Sequence, residues 1–222
     1  MVARRSLALA RKIGLSASHA RTLGRLRTPE RIQDFINALP TNFEQHGGTY
    51  RSVSETLRHG EAHCFEGAIV AACALWFAGD PPLLMDFQSG GGDDDHVVAI
   101  FRRGRHWGAI SKTNHVWLRF RDPIYRDLRE LAMSYFHEYV FGSEKTLRRY
   151  SVPLDLRRFS PSLWVTNVAD CDEIADALDT VRHFPLVTPA QARRLKKRDA
   201  MEMRAGKLLE YRAPDRKTAL RY

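Results

Sequence analysis

Cys64 is the residue in this sequence whose type and position best suit covalent chemistry. The run His59-Gly60-Glu61-Ala62-His63 reads as a loop, and the apolar stretch from Cys64 to Ala78 reads as a buried helix stopped by Gly79. A cysteine on the first helical turn meets unpaired backbone N–H groups and the positive end of the helix dipole. Both favour thiolate over thiol, and the same donors can hold a developing oxyanion. Cys73, among apolar residues inside the same helix, reads as an inert core thiol, and Cys171 as a residue beside a helix cap.

A thiolate enzyme also needs a base within reach, and the chain has nine histidines. His63 is adjacent to Cys64, but neighbouring side chains on a helix diverge by roughly 100°, which aims it poorly. His96 is better placed: it follows the Gly90–Gly92 and Asp93–Asp95 loop and opens a strand, and the three carboxylates before it favour an imidazolium. On the residues alone, a solvated acidic loop with His96 merely starting the strand explains the same pattern.

His63, Cys64, His96 and His106 are of metal-ligand type, but no paired Cys-x-x-Cys spacing accompanies them, and Gly90–Asp95 lacks the alternating ligands of a calcium loop. Neither a metal nor a cofactor is expected. Trp76, Trp107, Trp117 and Tyr135 read as core fillers rather than base-stacking platforms.

Several elements must position these residues. Thr28 and Pro29 start a helix that runs to Ala38, with Ile32, Phe35, Ile36 and Leu39 on one face and Pro40 as its stop. A short helix is expected at Ser54–His59 and a strand at Leu83–Gln88. Two more strands, His96–Arg102 and His106–Ser111, form a hairpin around a tight turn. Asp122-Pro123 is expected to open a helix reaching Val140. Asp170 with Glu173 reads as the capping box of a later helix, and Thr188-Pro189 starts a last, strongly basic one. This order predicts an α+β fold, with a basic segment at 1–27, a core domain at 28–150 and a helical, basic extension at 151–222.

Charge follows the same division. The net charge of +9 comes from the ends: residues 1–29 hold seven Lys/Arg and no acid, residues 186–222 hold eleven against four acids, and the centre is net acidic. Any contact with nucleic acid or another polyanion is therefore expected to be non-specific and to run through the termini. The Arg-rich, acid-poor start has some features of a transit peptide, and a basic lead-in that packs on the domain or frays is the preferred reading. No apolar run approaches the roughly 20 residues of a membrane span. Three widely spaced cysteines suit a reducing, cytoplasmic location better than a disulfide framework.

The run His63-Cys64-Phe65-Glu66-Gly67-Ala68, then Asp95-His96-Val97-Val98-Ala99-Ile100, then Trp107-Gly108-Ala109-Ile110 resembles the transglutaminase-like superfamily over roughly residues 28–150. The resemblance implies a papain-like α+β fold in which the cysteine caps a central helix packed on an antiparallel sheet. A histidine lies on an early strand, and an acid on the next strand orients it. By position, Cys64 is the nucleophile and His96 the general base. The third position departs from the family, since Ser111 stands where an aspartate is usual. A two-residue turn at Arg103-Gly104 would set His96 opposite Ser111, with Asn114 as the alternative orienter and Asp122 as a helix cap. The expected activity is acyl transfer, or amide or peptide hydrolysis, through a thioester. The rival is a non-catalytic module that holds a peptide or protein in the same cleft.

Overall fold

The computed structural model describes residues 2–45 and 47–213. Arg216, Lys217 and Arg221, which belong to the expected basic extension, lie outside the described residues.

Two helices open the chain, α1 (Val2–Lys12) and α2 (Ala17–Arg25), and Ser16 caps the second by accepting from His19 N at 3.2 Å. Ala10, Ile13, Ala20 and Leu23 are buried against the rest of the protein, while Arg11, Lys12, Arg21 and Arg25 face solvent. The basic lead-in is therefore part of the core layer. The Thr28-Pro29 signal produces α3 (Pro29–Ala38), with Ile32 and Ile36 inward. Ser52 starts α4 (Val53–His59), and Gly60 ends it at φ 71°, a conformation open to a residue without Cβ. Next comes α5 (Cys64–Ala78), the expected helix, buried along most of its length.

Strands β1 (Leu83–Gln88), β2 (His96–Arg103), β3 (His106–Ile110) and β4 (Arg121–Tyr125) follow, then α6 (Leu128–Tyr135) and the small hairpin β5 (Val140–Phe141) and β6 (Glu144–Lys145). The chain returns to the main sheet through β7 (Arg149–Ser151), β8 (Leu154–Asp155) and, after α7 (Pro161–Trp164) and α8 (Asp172–Thr180), β9 (His183–Pro185). The main sheet runs β4-β3-β2-β1-β7-β9 with every neighbour antiparallel, and β8 also pairs with β1. The α+β architecture with an antiparallel sheet stands as expected.

The sheet separates two cores. Leu84, Val97, Ala99, Phe101 and Ile110 meet the helical layer of α1, α2, α3, α5 and α8. The alternate residues Met85, Phe87, Val98, Ile100 and Ala109 meet α6, through Leu131, Ala132, Tyr135 and Phe136. Both faces being covered explains why β2 is nearly continuously apolar. No helix among the described residues is long and apolar enough to cross a membrane.

Four expectations are corrected. Asp122-Pro123 lies in β4, an edge strand that tolerates a missing N–H, and the helix behind it starts only after Asp127, whose carboxylate accepts from Glu130 N at 2.8 Å. Asp170 does not cap α8; Cys171 holds that position, and Asp170 accepts from Tyr50 N at 2.8 Å instead. Thr188 does cap a helix, α9 (Pro189–Ala192), but it stops before the basic run, and a separate α10 (Ala200–Ala205) follows. Finally, position 150 is no boundary: β7, β8 and β9 belong to the main sheet, and Trp164, Ile174 and Leu178 share the core of α5.

Candidate active site

The start of α5 is fixed from below by a buried carboxylate. Glu66, one turn into the helix, accepts from the backbone N–H of His63 at 3.1 Å, from Asn42 Nδ2 at 3.0 Å and from Thr49 Oγ1 at 2.9 Å, with Arg51 Nε 3.7 Å away. A buried carboxylate is tolerable only with such partners, so the cluster ties loop 41–51 to the helix start. Backbone bonds from Ala62 N to Pro40 O and from Asn42 N to Ala62 O complete the strap. Gly67 lets a neighbouring segment come close: a Cβ there would lie 2.4 Å from Lys112 Cβ. That contact seats residues 111–112 directly against the helix.

Cys64 stands half-buried at this helix start, as expected. The surprise is His63. Its Nδ1 lies 3.9 Å from Cys64 Sγ, and its Nε2 lies 2.6 Å from the carbonyl oxygen of Thr49. His63 is the N-cap residue in an extended conformation (φ −97°, ψ −169°), so the divergence of successive helical side chains does not apply to it. Burial by itself would push the Cys64 thiol up. Hydrogen bonding to His63 and His96, and the charges of both rings, outweigh burial and bring it down to about 5. For His63, burial opposes the cation, yet Cys64, Glu66 and Glu44 raise it to about 9.

His96 flanks the sulfur from the first position of β2. Its Nε2 lies 2.8 Å from Ser111 Oγ, so the structure brings together Cys64, His96 and Ser111. The register differs from the expected one. The turn is Gly104-Arg105, pairing Arg103 with His106 and Ala99 with Ile110, a displacement of two residues. Two residues is one full side-chain repeat, so Ser111 stays on the same face and reaches His96 diagonally. Gln33 of α3 grips Ser111 through both backbone groups, accepting from its N–H at 2.9 Å and donating to its carbonyl at 2.8 Å.

Asn114 is not the orienter. Its side chain accepts from Tyr211 N at 2.8 Å and donates to Tyr211 O at 2.9 Å, pinning the segment around 209–211 beside the cleft. The tyrosine ring also covers Lys112, whose Nζ lies 5.1 Å from its centre. Cys73 and Cys171 are fully buried, and burial pushes the first thiol far up and the second to about 12.

The cleft above Cys64 has a volume of about 610 Å³. Carboxylates dominate its walls (Glu44, Asp86, Asp93, Asp94, Asp95, Glu138 and Asp179), against Lys112 and Arg198. Trp117, expected in the core, lines it as well. Asp86 pairs with His183 at 2.9 Å, and burial, then the charges of Asp95, Asp179 and Cys64, push its carboxyl up to about 8.

Sequence reasoning missed His63, Glu66 and Asp86. A signal existed for the first two, because Glu66 three residues after His63 has the spacing of a helix capping pair. The expectation that no His-x-x-x-His spacing exists is also corrected, since His59 and His63 have it. However, His59 faces Arg58 and Glu55, and no group of three or more His, Cys, Asp or Glu among the described residues is arranged to hold a metal ion. Compared with protein-family models and with curated proteins, the chain matches none.

Proposed function

We propose that this protein is a transglutaminase-like thiol enzyme that performs acyl transfer, or hydrolysis of an amide or peptide bond, through a thioester at Cys64. The observation that carries this reading is a half-buried thiol at a helix start, flanked by two imidazoles and opening on a cleft of about 610 Å³. The Cys64 thiolate attacks the acyl carbon, and the carbonyl electrons move to oxygen, where the unpaired N–H groups of the first turn of α5 receive them. As the tetrahedral centre collapses, the C–N bond breaks and His96, which enters the step as the imidazolium, gives a proton to the departing amine and becomes neutral. Water or a second amine then attacks the thioester and passes a proton to His96, and the thiolate leaves. Ser111 holds the ring of His96 in place of the family's carboxylate, and the acidic walls favour a substrate with positive charge near the reacting carbonyl.

A catalytic thiol and two buried free cysteines suit a reducing compartment such as the cytoplasm. The exposed Arg11, Lys12, Arg193 and Lys197 offer non-specific contact to polyanions beside this activity.

Brief exposure to p-nitrophenyl acetate tests the reading. Peptide mapping should find a hydroxylamine-labile acetyl group on Cys64, absent from C64A. An unmodified Cys64, or acetyl on some other residue, would defeat it. The serine at the third position specifically favours the rival peptide-binding module, and that reading gains if Cys64 stays unacylated while peptides still bind.

A further inference from the structure

We infer that His63 is a second catalytic histidine, a fixed imidazolium that keeps Cys64 ionised, and that this frees His96 to carry protons to and from the substrate. The inference rests on the thiol-enzyme reading above and divides its acid–base work between two residues; the resemblance supplied only one histidine.

The ring geometry argues it first. His63 Nε2 lies 2.6 Å from the Thr49 carbonyl oxygen, which can only accept, so Nε2 bears hydrogen in either charge state. Nδ1 is therefore the lone-pair nitrogen of the neutral ring, and it faces Cys64 Sγ at 3.9 Å. Transfer of the thiol proton to Nδ1 yields thiolate and imidazolium with nothing gained or lost. The cation has two carboxylates beside it, Glu44 Oε1 and Glu66 Oε1, each 3.7 Å from Nε2. Arg51, 3.7 Å from Glu66, is the neighbouring positive group, and the Tyr50 ring stands edge-on to His63 at 6.5 Å. The raised His63 and lowered Cys64 agree with this state.

Immobility argues it second. His63 is held at Nε2 by a backbone carbonyl and stacked at 6.4 Å on Phe65. A ring so fixed keeps its proton between itself and sulfur and cannot follow a leaving group. His96 is buried too, but its Nε2 partner is the Ser111 hydroxyl, which can donate as well as accept, so this ring can change charge at the cleft wall without losing its hydrogen bond. It carries the mobile proton.

The test compares His63→Asn and His96→Asn by two readouts: the pH profile of Cys64 alkylation by iodoacetamide, and turnover of p-nitrophenyl acetate. His63→Asn should move the alkylation midpoint up by about two pH units or more, toward the free-thiol value of about 8.5, and alkaline pH should restore acetylation. His96→Asn also removes a hydrogen bond and a charge from beside the sulfur and should raise the midpoint too, but it alone should trap the acetyl-enzyme at alkaline pH and cut turnover there by about 100-fold or more. Should His63→Asn disturb folding, the unaltered protein still answers. By ¹⁵N NMR at pH 7, both ring nitrogens of His63 should be protonated, and the ring should become neutral in C64A. A parental midpoint in His63→Asn, or a neutral His63 in the unaltered protein, overturns the inference. An unreactive Cys64 in the unaltered protein would instead overturn the enzyme reading itself.

Discussion

The lowered thiol of Cys64 has a measurable consequence that neutral pH hides. With a value near 5, Cys64 is fully ionised at pH 7, whereas a free thiol near 8.5 is about 3% thiolate. That gives Cys64 a roughly 30-fold advantage in reactive species. Thiolate nucleophilicity falls with basicity, however, with a Brønsted slope of about 0.4–0.5, so 3.5 units cost it roughly 40-fold per thiolate. The two effects cancel at pH 7, and Cys64 should react with 4,4′-dithiodipyridine at about the rate of free cysteine. At pH 5.5 the balance changes. About three-quarters of Cys64 remains ionised against about one free thiol in a thousand, leaving an advantage of roughly 20-fold. Stopped-flow absorbance at the two pH values, with N-acetylcysteine as reference, measures both ratios. A ratio that stays near one at pH 5.5, or falls below it, would refute the thiolate reasoning. Cys73 and Cys171, buried and pushed the other way, should contribute no fast phase.

Three further outcomes follow from the geometry. Gly67→Ala places a carbon 2.4 Å from Lys112 Cβ, and overpacking of this kind costs about 1–3 kcal/mol; calorimetry should show a melting point lower by roughly 5 °C. Asp86 is buried with a raised carboxyl, so the folded state holds a proton that the unfolded chain releases above about 3.8, and the parent loses stability as pH rises toward 8. Asp86→Asn can still donate to His183 and has no proton to lose, so its melting advantage should grow between pH 4 and 8; a constant difference contradicts the assignment. Asn114→Ala frees the segment around Tyr211, which should speed tryptic cleavage near Arg212 while leaving the Cys64 alkylation midpoint where it was.

Local signals carried most of what could be read from sequence. Caps at Thr28 and Thr188 and stops at Gly60 and Gly79 mark real helix ends, because each acts through its own backbone neighbours. Cys64 was legible for the same reason, being a residue type at a helix boundary. The hairpin register was off by two residues because one glycine in a turn does not say which of its two placements the strands adopt, and Ser111 kept its role only because side chains repeat every two residues. Asp122-Pro123 suits a helix start and an edge strand equally; pairing with β3 decides between them, and that contact is not local. The role of His63 depends on Thr49, fourteen residues away, and on its extended backbone, neither of which hydrophobic periodicity records.

The buried Glu66 cluster bears on when in its life this protein can be reactive. The environment of the sulfur is assembled from Asn42, Thr49, His63, Glu66, His96 and Ser111, which the chain delivers from separate stretches of sequence. Before loop 41–51 closes on the helix and β3 joins β2, Cys64 is an ordinary thiol, almost wholly protonated in a neutral cell. A chain still emerging from the ribosome, or one held unfolded by a chaperone, therefore carries the thiol without the imidazoles and helix-start donors that would form and turn over a thioester, although that thiol is about as reactive at pH 7 toward a small disulfide. On the thiol-enzyme reading, the site is complete only once that loop has closed on the helix.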